Sequence, residues 1–186
     1  MQTVPRKPNP EISILRLAFF VSATVMISMA FAGSDGLDRV RQSVKEKYDV
    51  EHITNSQLDS LSGNNVIVFD VREKEEHSVS HLESAIRLSP QTTAKQFLET
   101  YGDQVDGKTV VFYCSVGERS SIMLSKLNQS LADAGAVGAF NLDGGIFARH
   151  NENRPLMKGE HITRDIHPFN AYWGRLINNQ SSIRYD

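Results

Sequence analysis

The sequence predicts an α/β domain built on a mostly parallel central sheet flanked by helices. Two nearly continuous apolar runs, 65–71 (Asn-Val-Ile-Val-Phe-Asp-Val) and 109–114 (Thr-Val-Val-Phe-Tyr-Cys), have the character of strands buried on both faces. Helical patterns alternate with such runs, the order that parallel strands joined by crossover helices require. No internal repeat or low-complexity stretch interrupts the alternation.

Taken in order, a short strand is expected at 50–53, then a helix at 55–62 with Leu58 and Leu61 at helical spacing. The strand 65–71 leads into a helix at 74–80, whose first turn would hold the acidic run Glu73–Glu76. A short strand at 85–88 precedes a helix at 91–101, placed after Ser89-Pro90. The strand 109–114 is followed by a helix at 120–134, with Leu124, Leu127 and Leu131 along one stripe and Gly135 as its C-cap. A third, weaker strand follows at 136–142. Right-handed crossovers gather the C-terminal ends of parallel strands on one edge, where α/β proteins bind ligands, and both Asp70-Val-Arg72 and Cys114 fall there. The tail, 159–186, is too short for a core of its own. It contains His167-Pro-Phe-Asn and Tyr172-Trp-Gly-Arg-Leu-Ile, so it is expected to pack back on the domain.

Composition removes several classes of function. With 20 Lys+Arg against 22 Asp+Glu the net charge is −2, which excludes an electrostatic nucleic-acid binder. At the N-terminus, Arg6, Lys7 and Arg16 precede an uncharged run, 17–32, that ends in Ala30-Phe-Ala. That is the form of a cleaved secretory signal over 1–32, and the run falls short of the roughly 20 residues that span a bilayer. The alternative is an uncleaved N-terminal anchor with Arg16 left in the cytoplasm. Both put the remainder, beginning with a lead-in at 33–47, outside the cytoplasm as a periplasmic or secreted protein, with no membrane contact once the signal is removed. One cysteine excludes an intramolecular disulfide, a CxxC pair and a cysteine-built zinc site, and no other metal site is expected. In an oxidising compartment an unpaired thiol asks for a use.

Cys114 ends a buried strand and is followed by Ser115-Val-Gly-Glu-Arg119 and then a helix, so loop amides and a helix N-terminus converge on one sulfur. Such a setting binds anions and favours thiolate over thiol. Gly117 supplies a residue able to take positive φ, and Arg119 a fixed cation suited to an oxyanion. A core thiol is the plain alternative for a lone cysteine on a strand; the loop after it argues for a nucleophile.

Cys114-Ser-Val-Gly-Glu-Arg-Ser120 resembles the active-site loop, Cys-x-x-Gly-x-Arg-Ser, of single-domain rhodanese-like sulfurtransferases. Phe69-Asp-Val-Arg-Glu-Lys-Glu-Glu76 with His81-Leu-Glu-Ser-Ala-Ile86 is similar to the family's Asp-x-Arg segment and the Gly-His-Ile-x-Gly-Ala-Ile that follows it. Leu142-Asp-Gly-Gly-Ile-Phe147, with Asn151 and Arg154-Pro-Leu156, is similar to its C-terminal Gly-Gly signature. The resemblance spans 48–158 in the family's order.

The resemblance implies a rhodanese-like domain that moves sulfane sulfur from a donor such as thiosulfate or a persulfide to a thiol or cyanide, through a persulfide on Cys114 and with no cofactor. A thioredoxin-like protein is a candidate acceptor. Ser115, Val116, Gly117, Glu118, Arg119 and Ser120 would form the substrate-binding loop, with Arg119 on the donor's oxyanion. Asp70, Arg72, His81, Gly144 and Gly145 would shape the surroundings rather than react. Three departures stand out: Ser84 where the family often has Gly, Arg149 where it often has Trp near the pocket rim, and Glu118 inside an anion-receiving loop. Glu118 pointing inward would oppose thiosulfate; pointing outward, it would do little. The related cysteine phosphatases have a longer Cys-to-Arg spacing, with room for a tetrahedral phosphate, whereas here only Ser115, Val116, Gly117 and Glu118 intervene. The non-enzymatic alternative is a rhodanese-like binding module or sulfur carrier, against which the retention of Cys114 and Arg119 counts.

Overall fold

The computed structural model describes residues 34–61 and 63–186, so the secretory signal expected at 1–32 lies outside the described residues. Five parallel strands form the central sheet in the order β1-β5-β4-β2-β3: β1 His52–Ile53, β2 Val66–Asp70, β3 Ile86–Arg87, β4 Thr109–Tyr113 and β5 Gly138–Leu142. The helices are α1 Ser34–Lys47, α2 Asn55–Ser60, α3 Lys74–Val79, α4 Ala94–Val105, α5 Glu118–Asp133, α6 Gly145–Asn151 and the single turn α7 Ala171–Gly174. A hairpin of β6 Leu156–Lys158 and β7 His161–Thr163 follows α6. Among the described residues no helix is long and apolar enough to cross a membrane.

The continuous apolar run of β4 is explained by cores on both faces of the sheet. Val110 and Phe112 point to one side, where α4 and α5 bring Phe97, Val105, Met123, Leu124, Leu127 and Leu131. Val111 and Tyr113 point to the other, among Leu37 of α1, Leu58 of α2, Ile146 and Phe147 of α6, and Ile166 and Ile177 of the tail. Successive side chains of a strand alternate faces, so a strand with two cores cannot show a polar alternation.

Helix boundaries follow their caps. α4 begins at Ala94 and not at 91, because Thr93 is its N-cap: the Thr93 hydroxyl accepts from the Gln96 N–H and the Gln96 side chain accepts from the Thr93 N–H. Residues 89–92 instead form a turn, closed by the Thr92 N–H on the Ser89 carbonyl at 3.0 Å. α5 starts two residues earlier than expected, at Glu118, since Gly117 takes the left-handed conformation (φ 99°) and the helix propagates directly from it. It ends as expected of Gly135: the Ala136 N–H reaches the Leu131 carbonyl and the Gly135 N–H the Ala132 carbonyl, with Gly135 at φ 85°.

The lead-in and the tail are both ordered against the domain. α1 buries Leu37 and Val44, and the Asp143 carboxylate holds it down by accepting from Arg41 at 2.6 Å and Lys45 at 2.8 Å. In the tail, Ile166 is fully buried and pairs with the 183 region through the Ile166 N–H to Ser182 and the Arg184 N–H to Ile166. Asn151, at the end of α6, donates to the Leu176 carbonyl at 2.7 Å and accepts from the Asn178 N–H at 2.8 Å.

Four histidines, His52, His77, His150 and His167, are held below the ordinary imidazole range, in each case chiefly because burial disfavours the charged ring. An unfolded chain protonates them near pH 6.5, roughly, and the folded chain only at lower pH. Below that value the unfolded state therefore binds more protons, and stability falls as the pH falls. The urea midpoint is expected to be level from pH 8 to 7 and to decline steadily toward pH 5; a midpoint unchanged across that range would contradict the burial of neutral imidazoles.

Candidate active site

β4 delivers Cys114 to the C-terminal edge of the sheet and Gly117 turns the chain into α5. The Gly117 N–H donates to the Cys114 sulfur at 3.2 Å, so the sulfur sits at the N-terminal end of a sixteen-residue helix with an amide aimed at it. Cys114 is 1% exposed and forms the floor of a pocket of about 190 Å³. Ser115, Val116, Glu118 and Arg119 line that pocket together with Phe169 and Trp173 of the tail.

Gly144 and Gly145 hold the loop from behind. The Ile146 N–H donates to the Cys114 carbonyl at 2.9 Å and the Phe147 N–H to the Ser115 carbonyl at 3.0 Å. Both carbonyls are thereby engaged by the first turn of α6. A β-carbon on Gly145 would lie 2.3 Å from the Cys114 carbonyl oxygen, and Gly145 itself is at φ 56°, so the close approach demands glycine. Asp143, just before it, is the carboxylate that binds α1.

Arg119 is engaged on two sides. Its Nη1 donates to Glu76 Oε2 at 2.7 Å and its Nη2 to Glu76 Oε1 at 2.8 Å and the Ser115 hydroxyl at 2.9 Å; that hydroxyl donates to Glu76 Oε1 at 2.8 Å. The Phe169 ring lies 4.9 Å from the guanidinium carbon. Burial works against the Arg119 charge, but the hydrogen bonds and the charge of Glu76 outweigh it and raise its affinity for the proton. Burial would likewise raise the Glu76 carboxyl, yet the bonds and charge of Arg119, with Arg72 and Ser115, bring it below the ordinary carboxylate range.

Asp70 and Arg72 form a fully buried ion pair, with Arg72 Nη2 on Asp70 Oδ2 at 2.6 Å. The Tyr113 hydroxyl donates to the same oxygen at 2.7 Å and accepts from the Leu82 N–H at 3.1 Å, and Arg72 also donates to the Ser80 carbonyl at 2.6 Å. The network thus ties the end of β2 to the end of β4 and to the loop after α3. His81 lies at that loop, donates from Nδ1 to the Leu82 carbonyl at 2.9 Å, stacks on His77 and pairs by backbone with Met157. It is not among the residues that line the Cys114 pocket.

Of the six residues expected to bind substrate, Ser115, Val116, Glu118 and Arg119 line the pocket; Gly117 acts through its N–H, and Ser120 is fully buried outside the lining. The Glu118 carboxylate turns to α1, accepting from Lys47 at 2.8 Å and the Tyr48 hydroxyl at 3.2 Å, and the Lys47 bond holds its pKa down. Arg149 is not at the rim of this pocket. Its guanidinium donates to Asp59 at 2.8 Å and to the Pro155 carbonyl at 3.3 Å, and it lines a separate depression with Leu58 and Leu82. Ser84 adopts φ 56°, the conformation that explains a glycine elsewhere in the family. Sequence reasoning missed Glu76 as the partner of Arg119, and Phe169 and Trp173 as pocket walls. The positive φ of Phe169 (64°) leaves no mark in a sequence, and Glu76 reads as one more acid in a helical first turn.

The rhodanese-like domain family matches residues 54–152. A relative among curated proteins, an uncharacterized protein of Synechocystis, is 34% identical over 93 residues, which cover 50% of this chain and 48% of that protein. The chain therefore spans about half the length of that relative. Among solved structures, a thiosulfate sulfurtransferase from Pseudomonas aeruginosa is similar over 64% of this chain and 22% of its own, with a TM-score of 0.50 and 16% identity, a likeness of fold. A rhodanese-related protein from Thermoplasma volcanium is similar over 58% of this chain and 98% of its own, with a TM-score of 0.45 and 20% identity. The matched segment takes in strands β2 to β5, the Cys114 loop, the Asp70–Arg72 pair and the Gly144–Gly145 turn, and by that match the chain belongs to the rhodanese-like domain family.

Proposed function

We propose that the protein is a sulfurtransferase in which Cys114 is nucleophile and sulfur carrier at once. The observation that carries this reading is the Cys114 sulfur, 3.2 Å from the Gly117 N–H at the start of α5 and lining a pocket. A thiolate there would attack the outer sulfur of a donor. A new S–S bond forms to Cys114 while the donor's own S–S bond breaks, and the remainder leaves with the electron pair, as sulfite from thiosulfate or as a thiolate from a persulfide. An acceptor thiolate or cyanide then attacks the outer sulfur and returns the Cys114 thiolate, so the reaction is covalent and ping-pong. The Gly117 amide and the helix N-terminus stabilise negative charge on both forms of the sulfur without reorganising. One sulfur atom suffices for both halves, which is why a single cysteine is enough. The compartment we infer is outside the cytoplasm, an inference supported by the uncharged run at 17–32 alone.

The test is mass spectrometry of the purified protein after exposure to thiosulfate and to an organic persulfide, followed by cyanide. The expected result is a gain of one sulfur on the peptide containing Cys114, discharged as thiocyanate. No gain with any donor would overturn the reading.

A further inference from the structure

Resting on that reading, we propose that the pocket selects sulfane sulfur borne on an apolar thiol, an organic persulfide, over inorganic thiosulfate, and that Phe169 and Trp173 of the tail are its specificity-determining residues.

The first reason is charge. Thiosulfate brings two negative charges to a sulfur that must itself be negative to react, so it needs a cation free to meet it. Among the described residues that line the pocket, the cation is Arg119, and the Glu76 carboxylate takes both of its terminal nitrogens. The other charged side chain of the lining, Glu118, is answered by Lys47. Each charge at the wall thus has its partner inside the protein, and a dianion would enter with no counter-charge left for it. A persulfide, R–S–SH, brings at most one negative charge, and none in the protonated form that reacts.

The second reason is the wall itself. Phe169 covers a face of the Arg119 guanidinium, 4.9 Å from ring centre to carbon, and Trp173 and Val116 extend the apolar surface beside Cys114. The tail is shaped to place that ring. Phe169 sits at φ 64°, a region an aromatic residue rarely adopts, and its N–H is fixed by His167 Nδ1 at 3.0 Å. The next residue, Asn170, caps α7 through the Tyr172 and Trp173 N–H groups, which sets Trp173 beside it. An outlying backbone held by dedicated hydrogen bonds at a pocket mouth fits a contact made to substrate. Phe169 remains 45% exposed, so its ring can pack on the carrier of an incoming persulfide.

The transfer balances without an oxidant. The Cys114 thiolate and R–S–SH give Cys114–S–SH and R–S⁻: one S–S bond forms, one breaks, and the proton stays on the transferred sulfur.

The experiment compares kcat/KM for benzyl persulfide, generated in situ, with that for thiosulfate, using the full chain with cyanide as acceptor. Benzyl persulfide is expected to be the better donor by about tenfold or more, the range that apolar pocket contacts supply. Phe169→Ala and Trp173→Ala should each lower the ratio of the benzyl persulfide value to the thiosulfate value about tenfold. Glu76→Gln, which leaves the Arg119 charge unanswered, should shift the ratio toward thiosulfate. Thiosulfate as the better donor, or a ratio unmoved by both tail variants, would overturn the proposal while leaving sulfur transfer intact. Failure of Cys114 to accept sulfur from either donor would overturn sulfur transfer itself.

Discussion

A Cys114→Ser variant is expected to fold as the parent does and to take up no sulfur from any donor. Cys114 is buried, and the replacement is smaller and polar, but the Gly117 N–H that now meets the sulfur offers the new hydroxyl a partner. The cost in stability should stay near 1 kcal/mol, a shift of roughly 2–4 °C in Tm for a domain of this size. Catalysis has no such cushion. A serine hydroxyl stays protonated at neutral pH, the nearby carboxylates of Glu76 and Glu118 are held by Arg119 and Lys47, and oxygen cannot stand in for the sulfur–sulfur exchange on which both half-reactions depend. Thiocyanate release should fall to the uncatalysed rate, and the mass gain should vanish. As the chain has one cysteine, any sulfur still bound by the variant would have to sit on a different group. Turnover above about one per cent of the parent, measured at equal folded fraction, would show that Cys114 is not the carrier.

The part of the site legible in the sequence is the part that is local. Cys114 to Ser120 is one contiguous loop, and Asp70 and Arg72 lie two apart at a strand end, so their chemistry and spacing are visible together. The contacts that set the pocket's charge are of another kind. Glu76 meets Arg119 across 43 residues and Lys47 meets Glu118 across 71, and nothing near either residue names its partner. Glu118 illustrates the limit: the sequence allows an inward or an outward carboxylate, and only the docking of α1 decides between them. α1 itself carries Leu37, Val40 and Val44 on a helical stripe, yet three apolar residues among charges do not say what they pack against until Asp143 is placed. α6 is the opposite case. Gly145-Ile-Phe-Ala-Arg-His-Asn is buried nearly throughout and only seven residues long, too short for a 3.6-residue period to show. The strands were readable because burial on both faces makes them continuously apolar. The packing of the tail was readable from its apolar residues, but its part in the pocket was not, because that lies in two rings placed beside Cys114 by backbone geometry.

The close approach of Gly145 makes a sharper test of how the loop is held than any change to the loop itself. In Gly145→Ala the new methyl would meet the Cys114 carbonyl oxygen at 2.3 Å and the Ser115 carbonyl oxygen at 2.8 Å, both backbone atoms that no side-chain rotation can move aside. The left-handed conformation costs an alanine about 1–2 kcal/mol, and relief of the overlap about 1–3 kcal/mol more. The loop can yield only by retreating from α6, which stretches the Ile146 and Phe147 hydrogen bonds and carries Cys114 with it. A displacement near 1 Å at a reacting atom is worth about a hundredfold in rate, so sulfur transfer should fall by that order although every reacting group is present. Gly159→Ala separates the two causes. Gly159 is also left-handed, at φ 60°, but a β-carbon there meets nothing within 4 Å. It should show the conformational cost alone, with sulfur transfer unchanged. Equal turnover in the two variants would mean that the loop keeps its geometry without α6 pressed against it, and that the helix N-terminus and Gly117 position the sulfur by themselves.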